Sequence, residues 1–339
     1  MTDGPCASPV SVRAPDAVPP AGRHPEVRAA SAAPVDVATP GLVLVAGAYS
    51  VDLVFRELAG PVAYGTEVWA EGFSMVPGGA FTLAMGLRRL DHDVVWAADF
   101  GNDAFSRHVL ATARDEHLDE RAFRHHDRPV RNITVALSHP GDRAMVTYED
   151  PVPPRPLAEL IAAYRPAALM LPYLQYGPEV SEALDIAART GTQVLMDCQD
   201  RPGSVDMPEV QKALGKVDVF APNAAEALRI TGTHTVDDAL EVLAGLVPTV
   251  VIKQDREGAV AVGNGERVAQ PSPPVEVVDT TGAGDCFNVG FLHRRLAGGT
   301  LAACLAAGVA CGTASVTAAG SSAAPDTAGL RRWLARVTA

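Results

Sequence analysis

Short apolar, β-branched runs alternate along this chain with longer segments in which apolar residues recur at helical spacing. The predicted strands lie at residues 42–46, 94–98, 167–171, 193–197, 217–220 and 249–253. The predicted helices lie at residues 83–90, 103–117, 178–190, 224–231 and 236–246. Strands that alternate with helices are typical of a parallel sheet with crossover helices. The pattern therefore predicts an α/β fold with a three-layer α/β/α core.

Two segments do not fit this alternation. Residues 51–76 and 130–148 show the period of two that half-buried strands have, as in the run from Ile133 to Leu137. We expect these segments to form antiparallel strands outside the main sheet. A small sheet beside the core can act as a lid over a bound substrate.

The beginning of the chain has a different composition. Residues 1–40 are rich in Pro, Ala and Val and show neither period, so they are predicted to be a disordered leader before a folded domain at residues 41–339. They lack the apolar stretch behind a basic start that marks a secretory signal. The five cysteines are odd in number and contain no C-x-x-C pair, which indicates no disulfide framework. These features favour a cytoplasmic location.

Charge narrows the range of partners. The chain has 28 Lys and Arg against 40 Asp and Glu, a net charge of -12, so its field repels polyanions and nucleic acid is not an expected partner. No charged residue lies between Arg295 and Asp326, a length that could span a bilayer. Small residues dominate from 308 to 322, however, which favours a closely packed helix of a globular fold. No membrane contact is expected.

The most informative stretch is residues 277–287, where a β-branched run breaks into a glycine turn and then enters a helix-forming segment. Gly282 and Gly284 allow backbone conformations that are closed to most residues. The unpaired N–H groups of the first helical turn, near Ala283 and Gly284, form an anion site with the helix dipole, and Asp285 is within reach of the anion. The alternative is a plain connection with Asp285 as an N-cap. Glycine content alone does not decide between the two.

The run D-T-x-G-A-G-D-x-F at residues 279–287 resembles the C-terminal signature of the ribokinase-like, PfkB-type carbohydrate kinases. Other segments follow in the family's order across residues 42–339. The resemblance implies a ribokinase-like, Rossmann-like core with a small β-strand lid. It also implies an ATP-dependent kinase that phosphorylates an alcohol group, with Asp285 as catalytic base and the Gly282–Gly284 turn as anion hole.

The resemblance implies substrate contacts from Asp52, Gly78, Gly79, Thr82 and Gln199. Asp52 follows the first strand, where the family binds substrate hydroxyls. Residues 77–84 resemble the N-terminal glycine signature, whose paired glycines approach the substrate. Gln199 lies in a segment similar to the family's D-x-N-x-R-P.

The resemblance implies nucleotide contacts from Asn223, Lys253, Asp255, Gly258 and Thr280. Asn223 and Glu226 match the N-x-x-E motif, in which Glu226 holds magnesium through water. From the residues alone, Asn223 caps a helix and Glu226 stands at its third position, as in a capping box. Both roles can hold together. Asp279 and Gly320 resemble the family's monovalent-cation site, which makes K⁺ a candidate beside ATP and Mg²⁺.

The chain departs from the family's pattern at three positions. Thr82 replaces the usual Asn of the glycine signature, Asp255 replaces a Gly of the nucleotide loop, and Ser106 replaces a Gly after G-x-D-x-F. We expect the phosphoryl-transfer site to be intact and the substrate and nucleotide sites to be modified. Residues 307–320 resemble the helix that packs under adenine.

The leading hypothesis is ATP-dependent phosphorylation of a hydroxyl group on a small sugar or sugar-like substrate. A nucleoside kinase is the alternative, with Phe55, Trp69, Phe81 and Tyr148 as candidates for an aromatic wall around the base. The third hypothesis is a catalytically silent homologue that only binds the ligand. The lid is also a candidate surface for a homodimer.

Overall fold

The structure is a computed structural model that describes residues 39–139, 142–199 and 201–338. Its strands are β1 Thr39–Ala46, β2 Tyr49–Leu58, β3 Ala70–Gly79, β4 Asp93–Ala97, β5 Asp99–Phe100, β6 Arg124–His125, β7 Asn132–His139, β8 Asp142–Glu149, β9 Pro166–Leu171, β10 Gln193–Met196, β11 Val219–Phe220, β12 Thr249–Lys253, β13 Ala259–Gly263 and β14 Glu266–Gln270. Its helices are α1 Ala80–Arg89, α2 Ala104–Asp115, α3 Leu157–Tyr164, α4 Pro178–Thr190, α5 Pro208–Leu214, α6 Ala224–Thr231, α7 Val236–Ala244, α8 Ala283–Leu296, α9 Leu301–Ser315 and α10 Thr327–Val337. Every predicted strand and helix forms, with bounds that shift by a few residues. Residues 1–38 of the predicted leader lie outside the described part, and the last two leader residues belong to β1.

Eight strands form the main sheet, in the order β14-β13-β12-β11-β10-β9-β1-β4. The six strands from β12 to β4 are the predicted ones, and they pair in parallel. β13 and β14 extend the sheet as an antiparallel hairpin that was not predicted. Its turn residues, Asn264 and Gly265, have φ values of 53° and 76°, as a two-residue hairpin turn requires.

Helices cover both faces of the main sheet, which gives the expected three layers. One core cluster joins the sheet to α1, α2, α8, α9 and α10, and the other joins it to α3 through α7. Small residues let α8 and α9 approach closely, because a Cβ on Gly290 would lie 2.3 Å from the carbonyl oxygen of Ala307. The small-residue helix ends at Ser315, and residues 316–320 form a loop instead of the expected continuation. Within the described ranges, no helix is long and apolar enough to cross a membrane.

A separate four-stranded sheet, the lid sheet, has the order β3-β2-β7-β8. The β2–β3 and β7–β8 pairs are antiparallel as expected, but the central pair of β2 and β7 is parallel. The expectation of antiparallel pairing throughout was wrong here because the chain enters the lid twice. Both entering strands, which begin at Tyr49 and Asn132, run outward from the core side by side.

The lid sheet has two different faces, since side chains alternate along each strand. Asp52 and Val76 lie on the inner face, and a Cβ on Gly320 would lie 2.8 Å from Val76 Cγ2. This face therefore covers the edge of the core where Gly320 lies. The outer face carries large apolar side chains: Phe55, Phe73, Met75, Val146 and Tyr148.

Candidate active site

The predicted catalytic turn, residues 279–285, leads directly into helix α8. Gly282 has a φ of 76°, in the left-handed region that favours glycine, and α8 begins at Ala283. The N–H groups of Gly284 and Asp285 belong to the first helical turn, where N–H groups have no partner inside the helix. The turn thus presents backbone donors at the positive end of a helix dipole, as an anion site requires.

Asp279 holds the catalytic turn in place. Its Oδ1 accepts a hydrogen bond from Thr281 N at 2.9 Å, and its Oδ2 accepts one from Gly320 N at 2.9 Å. The N–H groups of Val278 and Asp279 donate to the carbonyl of Val316 at 2.8 and 3.3 Å. The two residues that resemble the monovalent-cation site are therefore in direct contact with each other.

The electrostatic surroundings of Asp285 differ from those of an ordinary surface carboxylate. Burial raises the pKa of Asp285 to about 8 and is the largest cause of the shift. The charge of Asp197 raises it further, while the ammonium of Lys253 opposes the rise. Asp52 and Glu226 add smaller contributions in the upward direction. The charges of Asp197, Asp52 and Glu226 thus act on the pKa of Asp285 in the same direction as its burial.

Lys253, the last residue of β12, extends its ammonium to the catalytic turn. A Cβ on Gly284 would lie 3.3 Å from Lys253 Nζ. The same nitrogen donates to Asp197 Oδ2 at 2.6 Å, in a pair whose side chains are only 12% and 6% exposed. Asn288 donates its Nδ2 to the same oxygen at 2.6 Å. Asp197 thus holds a full positive charge beside the first turn of α8.

Asp197 and Asn288 also lie at this site, and the sequence analysis assigned neither residue to it. Asn288 lies three residues after Asp285, so both side chains lie on one side of α8. This spacing was a signal in the sequence that could have placed Asn288 at the site. Its side chain is 1% exposed, and its Oδ1 has no hydrogen-bond partner within the described ranges. Buried polar atoms normally have a partner. We therefore expect a water or ligand atom at this oxygen.

The predicted substrate residues Asp52 and Gly78 contact each other. A Cβ on Gly78 would lie 2.3 Å from Asp52 Oδ2, so a larger residue does not fit. Asp52 is 7% exposed and accepts a hydrogen bond from Ser50 Oγ at 2.9 Å. Burial, the largest cause, raises the pKa of Asp52 to about 6. Gly79 has a φ of 61° and precedes the first residue of α1, so the glycine pair brings backbone close to Asp52.

Thr82 packs against the catalytic turn. It is 1% exposed, its Oγ1 lies 3.1 Å from Ser321 Oγ, and a Cβ on Gly282 would lie 3.4 Å from its Cγ2. The hydroxyl that replaces the family's Asn therefore joins α1 to the loop that carries Gly320. A substrate contact by Thr82 stays a prediction.

Asn223 and Glu226 form a capping box at the start of α6. Asn223 Oδ1 accepts from Glu226 N at 2.9 Å, and Glu226 Oε2 accepts from Asn223 N at 2.8 Å. The capping role is confirmed, and the magnesium role stays a prediction that can use only Glu226 Oε1. Burial and then the charge of Asp197 raise the pKa of Glu226.

The remaining predicted residues lie on loops that carry these groups. Asp255 opens an exposed 3₁₀ turn with a φ of 50°, a conformation that Asp tolerates better than most residues. Gly258 has a φ of 94°, and its Cβ would lie 2.1 Å from the carbonyl oxygen of Gln270. Gln199 has a φ of 45°, and Thr280 is exposed. Their ligand contacts stay predictions.

Comparison with known proteins agrees with this geometry. The profile of the pfkB family carbohydrate kinases matches residues 41–328. The chain is similar to Arabidopsis thaliana ribokinase, with 32% identity over 125 residues, 34% of this chain and 32% of the relative. It is also similar to the cytidine kinase of Thermococcus kodakarensis, with 37% identity over 99 residues, 28% of this chain and 36% of the relative. The two alignments span about a third of each relative's length.

Fold similarity extends further than these alignments. The solved structure of Arabidopsis thaliana ribokinase complexed with ribose and ATP has a TM-score of 0.69 and 21% identity, and the match covers 87% of this chain and 98% of that chain. The ribokinase-like fold predicted from the sequence is confirmed. The chain belongs to the pfkB family of carbohydrate kinases.

Proposed function

We propose that the protein transfers the γ-phosphoryl group of ATP to a hydroxyl group of a small sugar or sugar-like substrate. One observation carries the proposal: Asp285, the first turn of α8 and the ammonium of Lys253 converge, with Lys253 Nζ 3.3 Å from the Cβ position of Gly284. Phosphoryl transfer needs a group that receives the proton of the attacking hydroxyl and donors that stabilise the transferred group. The convergence supplies both.

The proposed reaction is a direct displacement at the γ-phosphorus. A bond forms between the substrate oxygen and phosphorus while the bond to the β–γ bridging oxygen breaks and releases ADP. The hydroxyl proton passes to Asp285, whose pKa of about 8 suits a general base near neutral pH. The N–H groups of Gly284 and Asp285 and the ammonium of Lys253 stabilise the charge on the transferred group as preorganised donors.

Within the described ranges, no three His, Cys, Asp or Glu side chains are grouped so that they could hold a metal ion. We therefore propose that Mg²⁺ binds here together with the ATP phosphates. Asp197, Glu226 and Asp52 all raise the pKa of Asp285, so this region concentrates negative charge that a cation relieves. Carboxylate oxygens are the ligands that Mg²⁺ uses, often through water. Glu226 would hold the ion through Oε1, and the ion, when bound, neutralises charge on the ATP phosphates. We also propose that Asp279 contributes to a K⁺ site, because its carboxylate supplies oxygen ligands.

The inner face of the lid sheet favours a sugar over a nucleoside. Phe55 lies an odd number of residues from Asp52 on β2 and so on the outer face, and Tyr148 lies on the outer face as well. Phe81 is 2% exposed and packs on Trp96 with ring centroids 6.0 Å apart. Phe55 and Tyr148 thus lie on the face opposite Asp52, and Phe81 is buried in the core. Trp69, 73% exposed, stays a candidate. A nucleoside substrate, as the name of the cytidine kinase relative suggests, remains the alternative.

We also propose that the outer face of the lid sheet pairs two copies of the chain. Phe73 is 58% exposed, Val146 65% and Tyr148 51%, and the three share one face. Contiguous apolar surface of this kind on a folded protein marks an interaction site. A symmetric partner would cover the same residues in both copies.

An ADP-release screen tests the proposed function. The protein with ATP and Mg²⁺ is tested against a panel of sugars and nucleosides, with isothermal titration of ATP alongside. We expect release of ADP that depends on a sugar, with equal amounts of phosphorylated sugar. Turnover on nucleosides alone would support the alternative substrate class. ATP binding without turnover on any compound would contradict the proposal and favour a silent ligand-binding protein.

A further inference from the structure

A buried polar cluster joins the lid sheet to the core. We call it the hinge cluster, and its members are Tyr49, Gly101, Asp103, Ser106 and Val130. Tyr49 is the first residue of β2, and Val130 lies two residues before β7. The other three lie at or just before the start of α2. Both strands that run outward into the lid therefore start at this cluster.

The hydroxyl of Ser106 is the centre of the hinge cluster. Ser106 is 0% exposed, and its Oγ accepts from Gly101 N at 2.7 Å and donates to Asp103 Oδ2 at 2.9 Å. The same oxygen lies 2.8 Å from Tyr49 Oη and 3.3 Å from the carbonyl oxygen of Val130. The glycine that the family pattern has at this position carries no hydroxyl. The cluster is thus built by a residue on which this chain departs from that pattern.

Tyr49 and Asp103 connect Ser106 to both lid strands. Tyr49 Oη lies within hydrogen-bond distance of both Ser106 Oγ and the carbonyl oxygen of Val130, between which its single proton is shared, and its ring stacks on Phe100 with centroids 5.3 Å apart. Asp103 Oδ2 accepts from Val130 N at 3.0 Å, and its Oδ1 accepts from Ser106 N at 2.9 Å. Desolvation opposes the charge of Asp103, but these hydrogen bonds outweigh it and lower its pKa. The carboxylate therefore stays an acceptor at neutral pH.

A further contact ties the end of the lid to the same place. Arg131, next to Val130, donates from its N and its Nε to Asp150 Oδ2, both at 2.8 Å. Asp150 N donates to the carbonyl of Arg131 at 2.8 Å. Because Asp150 directly follows β8, the strand that returns to the core is fixed to the strand that leaves it.

We infer that Ser106 is a positioning residue for the substrate, because its hydroxyl fixes the orientation of the lid sheet on the core. Asp52 lies three residues after Tyr49, about 10 Å along β2, so a rotation of the strand at Tyr49 moves Asp52 relative to Asp285. The inference rests on the proposed function, since it requires that the substrate bind beneath the lid.

Two serine variants test the inference. Ser106→Ala removes the hydroxyl and keeps the helix. Ser181→Ala is the matched control, because Ser181 is also buried in the first turn of a core helix and accepts from Lys216 Nζ at 2.7 Å, away from the lid. We expect Ser106→Ala to raise the KM for the sugar about five- to tenfold, with the KM for ATP and kcat within about twofold of wild type. We also expect amide exchange in β2 and β7 to accelerate about five- to tenfold.

Three outcomes decide the inference. If Ser106→Ala matches Ser181→Ala in sugar KM and in lid exchange, the inference is wrong. If Ser106→Ala does not fold, Tyr49→Phe, which keeps the stacked ring and removes the other hydroxyl, must give the same two changes or the inference fails. If the wild type phosphorylates no compound, the proposed function fails, and amide exchange alone decides whether Ser106 anchors the lid.

Discussion

In the proposed mechanism the catalytic turn and the lid sheet carry groups that act on the same substrate, and the structure holds these groups in different ways. In the turn, both oxygens of Asp279 accept backbone hydrogen bonds, and nearby Asp197 accepts from Lys253 and Asn288. In the lid, Ser50 is the one side-chain partner of Asp52 among the residues that the structure describes, and the outer face of the sheet is exposed.

Under the proposed function, this difference separates the groups that carry out phosphoryl transfer from the groups that select the substrate. The turn matches the family's signature at every fixed position, and its polar groups are fixed before any substrate arrives. The lid is joined to the core by a short cluster that includes Ser106, one of the chain's departures from the family. If the proposed function holds, we expect the turn to set the rate of phosphoryl transfer and the lid to select which hydroxyl is presented to it.

Replacing Lys253 tests whether the turn depends on a fixed charge. Lys253→Met keeps the length of the side chain and removes the ammonium, and we expect kcat to fall about a hundredfold. Because Lys253 lowers the pKa of Asp285, the acidic limb of the pH profile should also move to higher pH. Lys216→Met, which removes the ammonium paired with Asp185, is the control. A kcat within about twofold of wild type would show that the turn works without this charge.

The pH dependence of kcat/KM follows from the raised pKa of Asp285. A general base acts only when deprotonated, so activity is lost as the pH falls through about 8. We expect kcat/KM to decrease about tenfold for each pH unit below that value. A profile that stays flat down to pH about 5 would mean that no carboxyl group with a raised pKa takes part.

A charge on the outer face of the lid tests the proposed dimer. Phe73→Lys places an ammonium at a side chain that is 58% exposed, and we expect the dimer to dissociate at least about tenfold more readily. Sedimentation equilibrium measures the change. Val242→Lys, at a 39% exposed apolar position on α7, is the control and should not alter assembly. A wild type that stays monomeric at micromolar concentration would refute this role of the lid.

The smallest effect is expected from removal of the leader. Deletion of residues 1–38 should leave the melting temperature and turnover nearly unchanged, because a stretch without periodic apolar residues contributes little burial. Differential scanning calorimetry of both forms provides the measurement. A melting temperature several degrees lower in the shortened chain would mean that the leader packs on the domain.

The sequence predicted the local features of the site well and its long-range contacts poorly. The signature at 279–287 located the glycine turn, and capping preferences located the box formed by Asn223 and Glu226. The ion pair of Lys253 with Asp197 joins residues 56 apart and depends on the strand order, which places β10 and β12 on either side of β11 and which no local pattern encodes. The hairpin at Asn264 and Gly265 did have a local signal, an Asn-Gly pair between β-rich runs.

The protonation of Asp285 also makes the stability of the folded protein depend on pH. The folded state holds the proton of Asp285 more tightly than the unfolded chain does, since its pKa is about 8 instead of 3.8. The contribution of this group is therefore fully present below pH about 4 and is lost as the pH rises through about 8. Asp285→Asn removes this dependence, so the variant should melt at or slightly above the wild type at pH about 8.

Turnover by Asp285→Asn tests the central claim most directly. The substitution keeps the size of the side chain and removes the base. The alternative role of Asp285 as an N-cap is wrong, because Gly282 is the N-cap of α8 and no side chain in the described part of the chain caps this helix. No cap is therefore lost, whereas loss of a general base costs about two to four powers of ten in rate. We predict a folded variant that binds ATP as the wild type does and turns over at least about a hundredfold more slowly. Near-normal turnover by a folded Asp285→Asn protein would contradict the mechanism and the assignment of the site.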